Sequence, residues 1–520
     1  MKISAIFGIS AFLFIFHLSA SRAEVTTGVW HPLDFEFTSD KEYKNPFDDP
    51  FIARVAGPRG ESLTVPGFYN GEVTWKVRVM GTSPGRWTLE TEAGDPNLNG
   101  NTAEFLCTEN SDPDVHGSLR VDSDHPHHFV YEDGTRYFLL GYECDWIWAL
   151  DLTRKDTPTL NSFLDKLAGF GFNHIILNGY AHDTSWRKGK TGEDDYGPPP
   201  MFAWEGTNED PDHSRMNLDY WNHYDQVIQG MFERGIEAHL MIKVYNKKVK
   251  WPKRLSKEED LYFRWLIARY SAYPNIVWDF SKESYNEKDF DYKLNRLRFI
   301  RETDPYNHLI TVHDDNDSYE KGRYDELLDF SSDQQHKDWH EKIQEQRERR
   351  DWPIVNVEFG YEHGPEGMED KTYGVVQSPE ENVRRAWEIC MAGGYPCYYY
   401  THTAWDVIRS EDTPKGYRLF SELKDFFEGM EYWKLEPSNS LIEEGYCLAN
   451  PGEEYLFYFP KSGKTEIDLS NAKAPMHGTW HRPYSGEESD AGSLDAKKQS
   501  ATPPGEWEGE PVALHLMKVE

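Results

Sequence analysis

Two rhythms of apolar and polar positions divide the chain. From Val25 to about Val121 short segments alternate with period two: Phe35-Glu36-Phe37, Glu72-Val73-Thr74-Trp75-Lys76-Val77-Arg78-Val79 and Gly85-Arg86-Trp87-Thr88-Leu89-Glu90. Gly, Pro, Asn and Asp punctuate them at short intervals, the pattern of antiparallel strands packed as a sandwich. Asp95-Pro96-Asn97-Leu98-Asn99-Gly100 has the start of a calcium loop, but its twelfth position is Leu106 rather than Glu, so it reads as a turn. From about Tyr131 the rhythm changes. Buried-type strands are predicted at 138–141, 173–177, 237–241, 276–279, 309–312, 329–332, 354–357 and 396–400, with amphipathic stretches such as 158–170, 220–234 and 258–270 between most of them. Eight βα repeats over roughly 290 residues predict a (β/α)8 TIM barrel. A doubly wound sheet would carry a Gly-rich phosphate turn after its first strand, and none is present. After about Tyr432 strand-like text returns, with Tyr446-Cys447-Leu448-Ala449-Asn450, Tyr455-Leu456-Phe457-Tyr458-Phe459 and Glu466-Ile467-Asp468-Leu469, predicting a small second sandwich.

The N-terminus adds a further segment. Lys2, an apolar run over 3–18 and the small residues Ser19-Ala20-Ser21-Arg22-Ala23 make a secretory signal. The expected organisation is a signal peptide over 1–23, an N-terminal β-sandwich over 24–124, a catalytic barrel over 125–432 and a C-terminal β-sandwich over 433–520. After cleavage the protein is expected in the periplasm or outside the cell, without a membrane anchor.

The composition fits a folded protein of several domains. The chain has 520 residues, of which 18 are Trp, 30 Tyr and 28 Phe. Its net charge of −34 repels phosphate backbones and anionic headgroups, which argues against nucleic acid and membrane surfaces as partners. Five cysteines are an odd number and sparse for this length. Buried free thiols are therefore expected, although Cys390 and Cys397 could pair.

In a TIM barrel, chemistry lies at the C-terminal ends of the strands. Here those ends bear aromatic, carboxylate and amide side chains, the mixture that stacks on pyranose faces and binds hydroxyls. The candidate substrate-binding residues are Trp146, His182, Lys243, Lys282, His313, Gln335, Tyr361, His402 and Trp405. Two carboxylates emerge directly from buried strands: Glu283 after the fourth and Glu358 after the seventh. Retaining glycoside hydrolysis needs such a pair, one protonated and one ionised. No Gly-x-Ser-x-Gly elbow or His-Glu-x-x-His motif occurs, and the run His313-Asp314-Asp315-Asn316-Asp317 reads as a solvated loop rather than a metal site. No metal or organic cofactor is called for.

These phrases resemble the apiosidase-like barrels among the clan A retaining glycoside hydrolases. The resemblance rests on Phe138-Leu139-Leu140-Gly141-Tyr142-Glu143-Cys144-Asp145-Trp146, on Ile276-Val277-Trp278-Asp279-Phe280-Ser281-Lys282-Glu283, on Pro353-Ile354-Val355-Asn356-Val357-Glu358-Phe359-Gly360-Tyr361-Glu362, and on Ala392-Gly393-Gly394-Tyr395. The first domain is similar to the uncharacterised sandwich that precedes many such barrels, and the tail resembles a module named for collagen binding. The resemblance implies a secreted hydrolase of a plant or algal polysaccharide or oligosaccharide, with Glu283 as acid/base and Glu358 as nucleophile. Lys282 stands where the clan A phrase has Asn. Lys243 and Lys282 together raise the expectation of an anionic sugar, a uronate or a sulfate ester. Two other classes remain open: a non-catalytic glycan-binding protein, and a polysaccharide lyase in which Lys282 neutralises a uronate.

Overall fold

The computed structural model describes residues 24–182, 195–314, 320, 322–365, 376–404 and 406–518. The expected signal segment over 1–23 lies outside them, as do Asp315, Asn316, Asp317 and Trp405.

The centre is a closed parallel barrel. Its strands are β1 (Gly141–Glu143), β2 (His174–Asn178), β3 (Glu237–Val244), β4 (Ile276–Lys282), β5 (Ile310–Thr311), β6 (Ser331–Asp333), β7 (Ile354–Asn356) and β8 (Tyr395–Tyr398). Neighbours pair in sequence order from β1 to β5, β8 pairs β1, and β7 lies between β6 and β8. A parallel bridge between His313 and Ser332 joins β5 to β6 and closes the ring. Helices α1 (Pro158–Gly169), α2 (Leu218–Phe232), α3 (Lys257–Tyr270), α4 (Phe290–Thr303), α5 (Trp339–Arg347), α6 (Pro379–Met391) and α7 (Lys415–Glu428) follow the strands, with a short 3-10 turn, Asp325–Leu327, after β5. The TIM barrel predicted from the βα rhythm is the observed fold.

Local chemistry explains several of these helix starts. Ser256 accepts the Glu259 N–H and the Glu259 carboxylate accepts the Leu255 N–H, a reciprocal arrangement that satisfies two donors at the α3 terminus. Asp151 does the same for α1, accepting from Thr159 and Leu160 N–H at 2.7 and 3.0 Å just beside Pro158.

A three-stranded sheet, Leu119–Val121, Phe129–Tyr131 and Arg136–Tyr137, lies under the N-terminal end of the barrel. Phe129 is fully buried there against the rings of Phe330 and Tyr395, which stand at the starts of β6 and β8. The boundary expected at 124 falls within this sheet. Above it the interior is polar rather than apolar. The Tyr137 hydroxyl lies 3.2 Å from His174 Nδ1, His174 Nε2 lies 3.0 Å from His239 Nδ1, and His239 Nε2 lies 2.9 Å from Asp279 Oδ2. Asp279 Oδ1 accepts the N–H groups of Ser281 and His313. Each of these side chains is buried, and leaving one unpaired would cost about 1–3 kcal/mol.

Both flanking modules are built of β-sheets, as predicted. The first stacks a five-stranded sheet on a three-stranded one around Val55, Trp75, Val77, Trp87 and Phe105. The Asp95 segment is a turn, its backbone carbonyl accepting from Leu98 N–H and its carboxylate from Asn97 N–H. Arg78 anchors this module to the barrel. It pairs with Asp34 at 2.6 Å, reaches Asp225 of α2 at 3.2 Å and donates to the Arg269 carbonyl of α3. The C-terminal module, a six-stranded sheet with a two-stranded companion, packs on α6 and α7. Tyr458 stacks on Trp387 and His481 lies on Phe426, with centroids 5.1 and 4.3 Å apart. All five cysteines are buried free thiols, so Cys390 and Cys397 do not pair. Among the described residues no helix is long and apolar enough to cross a membrane.

Candidate active site

At the C-terminal end of the barrel, β1, β4 and β7 deliver four carboxylates and a lysine to one place. β4 ends in Lys282, whose Nζ hydrogen-bonds Glu143 of β1 and lies 3.3 Å from both Asp145 and Glu358. Lys282, Glu143 and Asp145 have no exposed surface, and Glu358, two residues past β7, retains 2%. Burial pulls the Lys282 ammonium down, but Asp145, Glu143 and Glu358 outweigh it and hold the group well above the ordinary lysine range. Burial pushes Glu358 up. Lys282 pulls it back, Asp145 and Glu283 push it further, and the net direction is above the usual carboxylate range. Glu143 is likewise raised, first by burial and against the pull of Lys282.

Glu283 follows Lys282 but faces a different set. The chain turns sharply there, with φ 48° and ψ 51°, the left-handed region that costs a residue with a β-carbon about 1–3 kcal/mol. The turn frees the carboxylate from the strand. Asn246, just beyond β3, donates to one oxygen at 2.7 Å, while Tyr285 and Asn286 donate to the other at 2.9 and 3.0 Å. Glu283 is half-buried.

Other residues expected at the site fall into three groups. Tyr361 hydrogen-bonds Glu358, and His313 feels the Lys282 charge; burial first and Lys282 second hold its imidazole well below the ordinary histidine range. Trp146 stacks on Trp148 at 5.3 Å, and both indoles are fully buried, so neither presents a face to a sugar in this structure. His182 lies on the Phe202 ring at 6.0 Å.

A second group is engaged elsewhere. Gln335 donates its amide to Asp333 at 3.1 Å. His402 lies beside Asp412 and Arg409. Lys243, 2% exposed, binds Glu259 at the start of α3 and Tyr292 of α4, both at 2.8 Å. Neither Lys243 nor Lys282 is thus an exposed cation at the barrel mouth. Both ammonium groups are buried and already neutralised by carboxylates of this chain, because an unpaired buried cation is too costly to keep. Trp405, the third case, lies outside the described residues.

Three contributors escaped the sequence reading as site residues: Glu143, Asp145 and Asn246. The signal for the first two was the need of a buried Lys282 for counter-charges, with two acids, Glu143 and Asp145, at the end of β1. Nothing in the sequence around Asn246 marks it, since its role depends on how the β3 loop folds towards Glu283.

Comparison with known proteins decides the family. Residues 123–436 match the family described as Apiosidase-like, catalytic domain. The chain belongs to the apiosidase-like family. This apiosidase-like barrel is preceded by a match over 26–94 to a family described as a domain of unknown function (DUF5060). A solved structure described as a "putative glycoside hydrolase" from Bacteroides vulgatus superposes with a TM-score of 0.80 at 20% identity, covering 95% of this chain and 100% of that one. A glycoside hydrolase family 5 protein from the same species gives a TM-score of 0.57 at 18% identity, covering 78% of this chain and 93% of its own. At these identities the likeness concerns the fold, a multidomain glycoside-hydrolase fold with a TIM barrel at its core. No curated protein matches the chain.

Proposed function

We propose that this apiosidase-like chain is a secreted retaining glycosidase in which Glu283 is the general acid/base and Glu358 the nucleophile. The observation that carries the reading is the emergence of these two carboxylates just past β4 and β7, at one end of the barrel. Glu358 would attack the anomeric carbon while the leaving oxygen takes the proton of Glu283. Water, deprotonated by Glu283, would then displace Glu358 and release the sugar. Lys282 and the Tyr361 hydroxyl favour the ionised form that Glu358 needs for attack. The set Asn246, Tyr285 and Asn286 orients Glu283 towards the leaving group. No step calls for a metal or cofactor. The family membership supports a carbohydrate substrate, which we expect to be a plant or algal polysaccharide or oligosaccharide. With both candidate lysines neutralised, a neutral sugar fits better than a uronate.

The test is a product assay on a panel of plant and algal polysaccharides, with wild type and Glu358→Ala in parallel. New reducing ends from wild type alone support the proposal. Products absorbing in the near ultraviolet would mean a lyase, and retention on a glycan array without turnover would mean a binding protein.

A further inference from the structure

We infer that Lys282, Glu143 and Asp145 form a buried positioning unit beneath Glu358, which sets the orientation and charge of that carboxylate without touching the sugar. The inference rests on the assignment of Glu358 as nucleophile. Three observations lead to it. Lys282 is fully buried, so it is in no position to meet a ligand from the barrel mouth. Its ammonium is shared: it binds Glu143 and stands 3.3 Å from both Asp145 and Glu358. Glu143 and Asp145 are themselves fully buried, so their charges act on Lys282 and Glu358 rather than on solvent.

One cation among three buried carboxylates cannot satisfy all of them. Whatever hold Glu143 and Asp145 have on Lys282 is withdrawn from Glu358. Removing an acid on β1 should therefore make Glu358 easier to ionise, and removing Lys282 should make it harder. The opposite signs of these charges require opposite movements of Glu358, and whether they matter to catalysis is read from the acidic limb of kcat/KM. The charged and titratable groups that face Glu358 are Lys282 and Glu283 from β4, Glu143 and Asp145 from β1, and Tyr361 after β7. Cys397 of β8 and Tyr399 just after it face it, and His313, past the end of β5, approaches Lys282.

The experiment reads Glu358 directly and needs no substrate. The full chain is labelled with 13C at the glutamate carboxyls, and the Glu358 signal is assigned by its loss in Glu358→Gln. Its titration midpoint is then measured in wild type, Asp145→Asn, Glu143→Gln and Lys282→Met. The expected result is a downward move in the two β1 variants and an upward move of about one pH unit or more in Lys282→Met. If Lys282→Met does not fold, the β1 variants decide: a lowered midpoint supports the inference and an unchanged or raised one overturns it. Movement in the same direction in all three variants also overturns it. On any glycan that wild type cleaves, the acidic limb of kcat/KM should follow the same order. Absence of cleavage on every glycan would count against the glycosidase reading, while the titration would still decide the role of Lys282.

Discussion

Glu283 is held in a strained left-handed turn by its neighbours, and its two oxygens accept three hydrogen bonds from Asn246, Tyr285 and Asn286. Strain of this kind persists only where the surroundings over-determine it. Glu283→Gln and Glu358→Gln should each reduce turnover by orders of magnitude while leaving the circular dichroism spectrum intact. Wild-type rates in either variant would remove that residue from its role. Asn246→Ala should lower kcat about tenfold to a hundredfold with a smaller change in KM, because it loosens the acid without removing it. An effect confined to KM would assign Asn246 to substrate binding instead. Glu283 and Glu358 stand out in the sequence because each lies at or just past the end of a buried strand. The Lys282 cluster was not, because it unites residues 139 and 76 positions apart in the chain, and only barrel closure brings them together.

Among the elements, the interior of the barrel is wetter in character than the apolar strand text suggests. Period and composition revealed where the strands lie, but not that His174, His239 and Asp279 form a ladder inside them. Boundaries slipped for a physical reason at β1. The apolar run Phe138, Leu139 and Leu140 invited a strand, yet Phe138 is spent on packing against Phe427, Tyr395 and Tyr432, and the ladder begins at Gly141. At the start of β3, burial pushes Glu237 up to about 8, with Tyr131 opposing. A group whose folded pKa is raised contributes stability that is full below its unfolded pKa near 4.3 and is lost as pH rises through the folded value. Glu237→Gln should therefore flatten the fall in stability between about pH 5 and 8, a difference on the order of 2–4 kcal/mol at the alkaline end. Denaturant melts across that range check this, and parallel curves for the two proteins would contradict it.

The whole molecule is held together by two interfaces, and residues of both modules join the barrel's apolar cluster. The N-terminal sandwich combines a polar anchor, Arg78 on Asp225, with an apolar contact in which Phe47 and Phe68 pack on Trp265 of α3. The C-terminal sandwich shares an apolar core with the barrel, in which Leu448, Leu456, Tyr458 and Ala513 join the barrel cluster. That module is thus expected to be a structural buttress. Trp387→Ala, which removes the ring under Tyr458, should cost about 3–5 kcal/mol. Deleting 433–520 should uncover Trp387 and Phe426 and yield aggregates by light scattering; a monodisperse truncated protein would show that the module is dispensable for folding. Three-part architecture could be read from the change of rhythm along the chain, whereas neither interface could, since single-residue anchors such as Arg78 and Trp387 look like ordinary strand and helix residues until the modules meet.

The claim that two carboxylates on β4 and β7 perform retaining hydrolysis is tested most directly by the stereochemistry of the product. Proton NMR of the newly formed reducing end should be recorded within the first minutes of cleavage, before mutarotation. The account predicts that the first-formed anomer has the configuration of the bond cleaved, and that Glu358→Ala forms none. A product of inverted configuration, or one released equally fast by Glu358→Ala, would contradict it.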